Sequence, residues 1–153
     1  MYLEIKGNLL DYSKTHYLVH QCNCKTTNCL GLAKVIFTKY PDANTYNNNS
    51  IRVPSNIDII KPIINLYGQI FPGKAKPVLN DSKQHRLEYF KNGLQNIYSE
   101  LNENENENEN INLAFPKNIG CGLAGGVWTD YESILKQFEK KYENINILIV
   151  DFA

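Results

Sequence analysis

Apolar, strand-like runs alternate with amphipathic helical patterns along almost the whole chain, and this alternation limits the possible folds more than any other feature. Parallel strands need a crossover between them, and that crossover is usually a helix. The sequence therefore predicts an α/β fold, a three-layer α/β/α sandwich with a mixed, mostly parallel central sheet. The strand-like runs lie at 2–6, 16–22, 51–53, 57–69 (interior at 63–67), 111–115 and 145–150, and the helical patterns lie at 31–40, 83–101 and 129–143.

The chain is expected to form one domain over residues 1–153, because this length is typical of a single hydrophobic core. One segment does not fit such a core: "NENENENEN" at 102–110 is polar, alternating and low in complexity. Such a composition predicts a disordered loop, since it offers nothing to bury. A functional tail is the less favoured alternative, because loops between elements tolerate insertions.

The charge and cysteine content exclude some classes of protein. Sixteen Lys and Arg balance 16 Asp and Glu, so the chain lacks the basic excess of an RNA-binding domain. No signal sequence is visible, and no apolar run approaches the ~20 residues that span a bilayer. The four cysteines are expected to be free thiols. We therefore expect a cytoplasmic or nuclear monomer with no membrane partner.

The segment "GCGLAGG" at 120–126 lies between the strand at 111–115 and a helix that Thr129 and Glu132 would open as a capping box. Glycines at such a junction let consecutive backbone N–H groups point into one concavity, which suits a phosphate group. The spacing matches neither the P-loop nor the dinucleotide-binding glycine motif. Two interpretations stay open here: a phosphate cradle, or a tight crossover whose glycines only avoid clashes.

A second strand-to-helix junction favours the cradle. "LVHQCNCKTTNCLGLAKVI" at 18–36 leaves a strand with His20, Gln21 and Asn23, crosses a polar loop, and enters a helix at Gly31. Ligands of open α/β sheets bind beyond the carboxyl ends of the strands. Both junctions are therefore expected to contribute to one ligand cleft.

Together the two junctions resemble the macro domain, the ADP-ribose-binding module. The closest similarity is to the branch that processes ADP-ribose 1″-phosphate, with motifs H-Q-x-N-C…G-x-A-K and F-P-x-x-I-G-C-G-L-A-G-G-x-W. The matching positions are His20-Gln21, Asn23-Cys24, Gly31, Ala33-Lys34, Phe115-Pro116, Ile119 through Gly126, and Trp128.

The resemblance implies a set of ligand-binding residues. Asn8 would contact the adenine amino group, the loop before Gly31 would wrap the distal ribose and diphosphate, and 120–126 would hold the pyrophosphate. Phe152 would stack on the adenine, or would be an ordinary core aromatic. The whole implied set is Asn8, Leu9, Gln21, Cys29, Leu30, Gly31, Leu32, Ile119, Gly120, Cys121, Gly122, Leu123, Ala124, Gly125 and Phe152.

The resemblance implies His20 and Asn23 as the candidate catalytic residues. A histidine that titrates near neutral pH can serve as a general acid or base. Asn23 would position the attacking water or a hydroxyl of the distal ribose. The alternatives are a structural histidine at a strand end, and an asparagine that only binds the ligand.

Several positions depart from the de-ADP-ribosylating branches of the family. Ala33 stands where one branch has a catalytic Asp, and another branch would place a Lys near Gln69 and an Asp at Ala124. Neither the Asp of the first branch nor the Lys–Asp pair of the second is present, which disfavours those two mechanisms. The loop before Gly31 has Asn28, Cys29 and Leu30 where the family has several glycines, which implies a stiffer loop.

The resemblance therefore implies an ADP-ribose-binding domain that hydrolyses ADP-ribose 1″-phosphate to ADP-ribose and phosphate. The alternatives are a non-catalytic reader of free or protein-linked ADP-ribose, and a de-ADP-ribosylating hydrolase. ADP-ribosylated macromolecules are accordingly possible partners. No cofactor and no metal are expected, since the C-x-C spacing of Cys22 and Cys24 suits a tetrahedral zinc site poorly. Arg86 and Lys91 are expected on the solvated face of their helix.

Overall fold

Six strands form one sheet in the computed structural model, which describes residues 1–47, 50–104 and 109–152. The strand order is β1-β6-β5-β2-β4-β3, and every neighbouring pair is parallel except β3 with β4. The strands are β1 (Tyr2–Lys6), β2 (Tyr17–Asn23), β3 (Ile57–Ile60), β4 (Ile63–Gln69), β5 (Ile111–Pro116) and β6 (Ile145–Asp151).

Helices cover both faces of the sheet, which confirms the predicted three-layer sandwich with a mostly parallel sheet. They are α1 (Gly31–Lys39), α2 (Lys83–Asn104) and α3 (Trp128–Lys141). The apolar faces of α2 and α3 pack against one side of the sheet, with Phe90, Leu94 and Leu135 at most 1% exposed. On the other side, Ile36 and Phe37 of α1 are buried against the sheet.

The close approach of α2 to the sheet depends on a glycine. A Cβ at Gly93 would lie 2.7 Å from a methyl carbon of Leu66, which is fully buried in β4. Within the described ranges, no helix has an apolar stretch that could cross a membrane.

Some local predictions were wrong. Residues 51–53 do not form a strand, and the run at 57–69 is two antiparallel strands joined at Lys61 and Pro62. A proline cannot donate to a sheet ladder, so the run breaks there. Helix α2 continues to Asn104, into the segment predicted to be a disordered loop; the prediction for 105–108 lies outside the described residues.

The predicted capping box of Thr129 and Glu132 does not form. Helix α3 begins one residue earlier than expected, at Trp128, and its N-cap residue Val127 has no side-chain cap. Gly126 donates a backbone hydrogen bond to the Gly120 carbonyl (3.0 Å), and this contact closes the glycine loop immediately before the helix. Thr129 therefore lies inside the first helical turn, where it cannot cap.

Candidate functional site

One large cavity, of about 710 Å³, opens at the carboxyl ends of the parallel strands. Because β2 and β5 are adjacent and parallel, the segments that follow them meet at this edge. We call residues 24–30, after β2, the first loop, and residues 117–126, after β5, the glycine loop. The segment 70–76, which follows β4, forms a third wall through Pro72, Gly73 and Lys74.

Most of the sequence-predicted site residues line this cavity: His20, Gln21, Asn23, Leu30, Gly31, Leu32, Ile119, Gly120, Cys121, Gly122, Leu123 and Ala124. Asn8, Leu9, Cys29, Gly125 and Phe152 do not. The side-chain oxygen of Asn8 instead accepts the Leu10 N–H (3.0 Å) and caps a short 3-10 helix. Phe152 is 80% exposed, so the alternative of a core aromatic is wrong. The ligand contacts of these five residues stay predictions.

The glycine loop presents backbone donors to the cavity. Its internal hydrogen bonds use the N–H groups of Cys121, Gly125 and Gly126. The N–H groups of the cavity-lining residues Gly120, Gly122, Leu123 and Ala124 donate to no acceptor among residues 1–47, 50–104 and 109–152. Four N–H groups of one short loop at the cavity thus lack a partner among the described residues, and groups of this kind can bind an anion.

Gly120 shows why the loop needs glycine. Its φ is +73°, a conformation that side chains disfavour, and a Cβ there would lie 2.5 Å from the ring of Tyr131. Tyr131 is buried in α3, so the ring cannot move aside. The fold itself therefore requires glycine at position 120, as the interpretation of a tight crossover proposed. This structural requirement is compatible with a role of the loop in binding.

The first turn of α1 adds a second set of donors. Its N-cap residue, Leu30, makes no side-chain cap, and Gly31, Leu32 and Ala33 line the cavity. The first N–H groups of a helix have no partner inside the helix, and the helix dipole places partial positive charge there. Both sets of backbone donors thus border the same cavity.

The charged side chains around the cavity are cationic. Lys74 and Lys117 line it, and within the described part of the chain no Asp or Glu does. Lys117 is paired with Glu4 (3.1 Å) and Asp151 (3.9 Å). Lys74 has no ion pair among the described residues, and its stem packs against Gly125. The cavity therefore favours an anionic ligand.

His20 is buried beneath the cavity, with 2% of its surface exposed. Its Nε2 lies 2.5 Å from Oδ1 of Asn65, whose Nδ2 donates to the Ala43 carbonyl. This arrangement fixes the Asn65 amide, so Nε2 of His20 carries the proton. Burial lowers the His20 pKa to about 4, and the hydrogen bond to Asn65 offsets only part of that effect. The imidazole is neutral at pH 7, which weighs against the predicted acid–base role; the assignment stays a prediction.

Asn23 shapes the first loop. Its Oδ1 accepts the N–H groups of Lys25 (3.0 Å) and Thr26 (2.9 Å), and its backbone N–H donates to the Tyr46 hydroxyl. Arg52 donates to the carbonyls of Asn23 and Thr26. Oδ1 of Asn23 is thus already hydrogen-bonded within the protein, although Asn23 lines the cavity.

Cys121 lines the cavity as a protonated thiol. Its Sγ donates to the Ile119 carbonyl (3.2 Å), and burial, with a smaller contribution from Asp130, raises its pKa to about 11. Only a thiolate is an effective nucleophile. Among the described residues, no group of three or more His, Cys, Asp or Glu is placed to hold a metal ion.

Comparison with known proteins decides the fold. The structure is similar to the macrodomain of Mycobacterium tuberculosis DarG, with a TM-score of 0.75 at 22% identity over 98% of this chain and 97% of that one. This chain has the macrodomain fold. The macrodomain of Thermus aquaticus DarG gives a TM-score of 0.64 at 18% identity, covering 100% and 98% of the two chains. A mutant Oceanobacillus iheyensis macrodomain with ADPR gives 0.61 at 14%, covering 99% and 84%. No protein-family model and no curated protein matches the chain.

Three residues of this macrodomain fold were missed by the sequence analysis. Lys74 lies five residues after Gln69, in a segment that looked irregular, and it lines the cavity; Ala124 supplies no carboxylate, so the Lys–Asp pair is still absent. Tyr46 and Arg52 flank an Asn-rich stretch with no motif. The lysine that one branch of the family has near the position of Gln69 was the one available signal.

We predict that the His20 imidazole stays neutral down to about pH 5 and titrates with a pKa of about 4. Because the unfolded chain binds this proton at higher pH, the free energy of unfolding should fall as pH drops from about 6.5 to about 4. NMR titration of the imidazole measures the pKa, and urea unfolding measures the stability. In His20→Gln this part of the pH dependence should disappear; a His20 pKa near 6.5 would contradict its burial.

Proposed function

We propose that this protein binds ADP-ribose through its diphosphate. The observation that supports this most directly is the convergence of two sets of unpaired backbone N–H groups, in the glycine loop and at the start of α1, on one cavity without a carboxylate. Backbone donors at helix N-termini and glycine-rich turns bind phosphate groups. The Oceanobacillus iheyensis macrodomain, which has the same fold, has structures with ADPR and with ADP.

The position of each part of the ligand follows from the resemblance. The diphosphate lies between the glycine loop and Gly31, and the distal ribose lies beside Asn23. The adenine extends beyond the glycine loop toward the end of β6, where Phe152 is exposed. In this arrangement Asn23 acts chiefly by holding the first loop, because Lys25 and Thr26 already occupy its oxygen.

Turnover of ADP-ribose 1″-phosphate is the finer proposal. Water would attack the terminal phosphorus, the bond from phosphorus to the ribose oxygen would break, and ADP-ribose and phosphate would leave. Lys74 supports this reaction, since a terminal phosphate needs a cation and Lys74 has no ion pair among the described residues. His20 is neutral and bonded to Asn65, so it supplies no proton exchange at neutral pH in this structure.

Removal of ADP-ribose from a modified macromolecule is the second candidate, and Lys74 is again the observation that favours it. One de-ADP-ribosylating branch of the family uses a lysine with a late aspartate. Lys74 lines the cavity, whereas Ala124 stands where that branch has its aspartate. The two reactions differ in whether Lys74 acts through its charge or through its amine.

Binding is tested by calorimetry with ADP-ribose on the wild type and on two variants of Gly122. A Cβ there would meet no atom within 4 Å, so both variants should fold. We predict that Gly122→Glu weakens binding at least about tenfold, because its carboxylate repels the diphosphate. Gly122→Gln, which has nearly the same size without the charge, should lose much less. Equal losses, or no binding by the wild type, would contradict the proposal.

Turnover is tested by phosphate release from ADP-ribose 1″-phosphate and by loss of label from an ADP-ribosylated macromolecule. We predict that Lys74→Met lowers the active reaction about hundredfold, since it removes a cation from the reacting group. Lys74→Arg keeps the charge and loses the primary amine. Activity of Lys74→Arg on the phosphate substrate supports the phosphatase, and its inactivity on the macromolecule supports the second candidate. Binding with no turnover of either substrate identifies a reader.

A further inference from the structure

Arg86, at the start of α2, is buried behind the cavity, with 2% of its surface exposed. The expectation that it lies on a solvated helix face is therefore wrong. Its Nη1 donates to the Gly73 carbonyl (2.7 Å), and its Nη2 donates to the carbonyls of Phe71 (3.2 Å) and Lys74 (3.1 Å). One guanidinium thus binds three carbonyls of the wall that carries Lys74.

The charge of Arg86 is balanced by a carboxylate that also bonds to this wall. Asp81 is fully buried, and its Oδ2 lies 2.7 Å from Nη2 of Arg86. Its two oxygens also accept the N–H groups of Ile70 (2.8 Å) and Phe71 (2.9 Å). The Lys76 N–H donates to the Asp81 carbonyl (2.7 Å). Asp81 therefore contacts both ends of the segment 70–76, with its carboxylate at Ile70 and Phe71 and with its backbone at Lys76.

The same guanidinium reaches the glycine loop. Nη1 of Arg86 lies 3.4 Å from the carbonyl of Ala124. On the cavity side, the stem of Lys74 lies 3.4 Å from the position of a Cβ on Gly125. The two walls are thus joined by a hydrogen bond from Arg86, and the stem of Lys74 lies beside Gly125.

We infer that Arg86 is a positioning residue that joins the segment 70–76 to the glycine loop, so that Lys74 and the phosphate-binding N–H groups are held as one unit. Its effect on ligand binding rests on the proposed function; the joining itself does not. Only a planar group with several donors can bind carbonyls of both walls at once, so lysine is not equivalent here.

The joining is tested without ligand by NMR amide exchange in the wild type and in Arg86→Lys. Lysine can still pair with Asp81 but cannot reach both walls. The probes are the hydrogen-bonded N–H groups of Lys76 in one wall and of Gly125 and Gly126 in the other. We expect exchange at all three to rise about tenfold, with Lys25 in the first loop unchanged. Faster exchange at Lys76 alone would overturn the inference.

Leu101→Ala is the matched control for lost stability. Leu101 is buried near the far end of α2, away from both walls. Its truncation destabilises the whole fold, so it should not raise exchange selectively at Lys76, Gly125 and Gly126. Should Arg86→Lys fail to fold, the pair Arg86→Met with Asp81→Asn removes both charges together and leaves no unpaired buried ion. The same selective rise in exchange is expected from that pair.

The consequence for binding is measured by calorimetry with ADP-ribose. Arg86→Lys should weaken binding about tenfold, while Leu101→Ala should not change it. If the wild type binds no ADP-ribose, the proposed function fails, but the exchange result still decides whether Arg86 joins the walls. If exchange rises in both walls and the affinity is unchanged, the joining stands and the positioning role is overturned.

Discussion

The parallel pairing of β2 with β5 is the constraint on which the candidate site depends. In register, Tyr17 pairs with Leu113 and Leu18 with Ala114, so both strands leave the sheet at the same edge. Each strand is followed by a segment in which several backbone N–H groups have no acceptor among the described residues: four in the glycine loop, and those of the first turn of α1. Sliding one strand along the other would separate the two sets of donors. The geometry of the candidate site is therefore a consequence of strand order and register, while Gly120 is required by the close approach of the Tyr131 ring.

The part of the structure that depends on periodicity and junctions could be predicted from the sequence. Apolar runs and helical spacing predicted five of the strand regions and all three helices, because the burial of one face produces a regular spacing of apolar residues. The glycine loop was located because strand, glycines and helix follow each other directly. Element ends were less accurate: Thr129 and Glu132 have the residue types of a capping box, yet the helix begins at Trp128 and Thr129 lies inside its first turn.

The chemistry of single side chains was harder to predict, since it depends on tertiary burial. His20 has the residue type of an acid–base catalyst, but its neighbours on β4 and α1 enclose it and lower its pKa. Arg86 lies on a helix that reads as amphipathic, and nothing in the helical spacing shows that carbonyls of another segment surround it. Lys74 lies in a stretch without helix or strand, so no periodic pattern marks it. In each case the decisive partners are distant in sequence or lie in irregular backbone.

The most direct test of the central claim is a titration of ¹⁵N-labelled protein with ADP-ribose, followed through the backbone amide resonances. The account predicts saturable shifts that are largest at Gly120, Gly122, Leu123, Ala124 and the first turn of α1, with Lys14 to Tyr17 at the opposite edge of the sheet nearly unchanged. Saturating ADP-ribose that leaves the glycine-loop amides unmoved, or that shifts another surface instead, would contradict it.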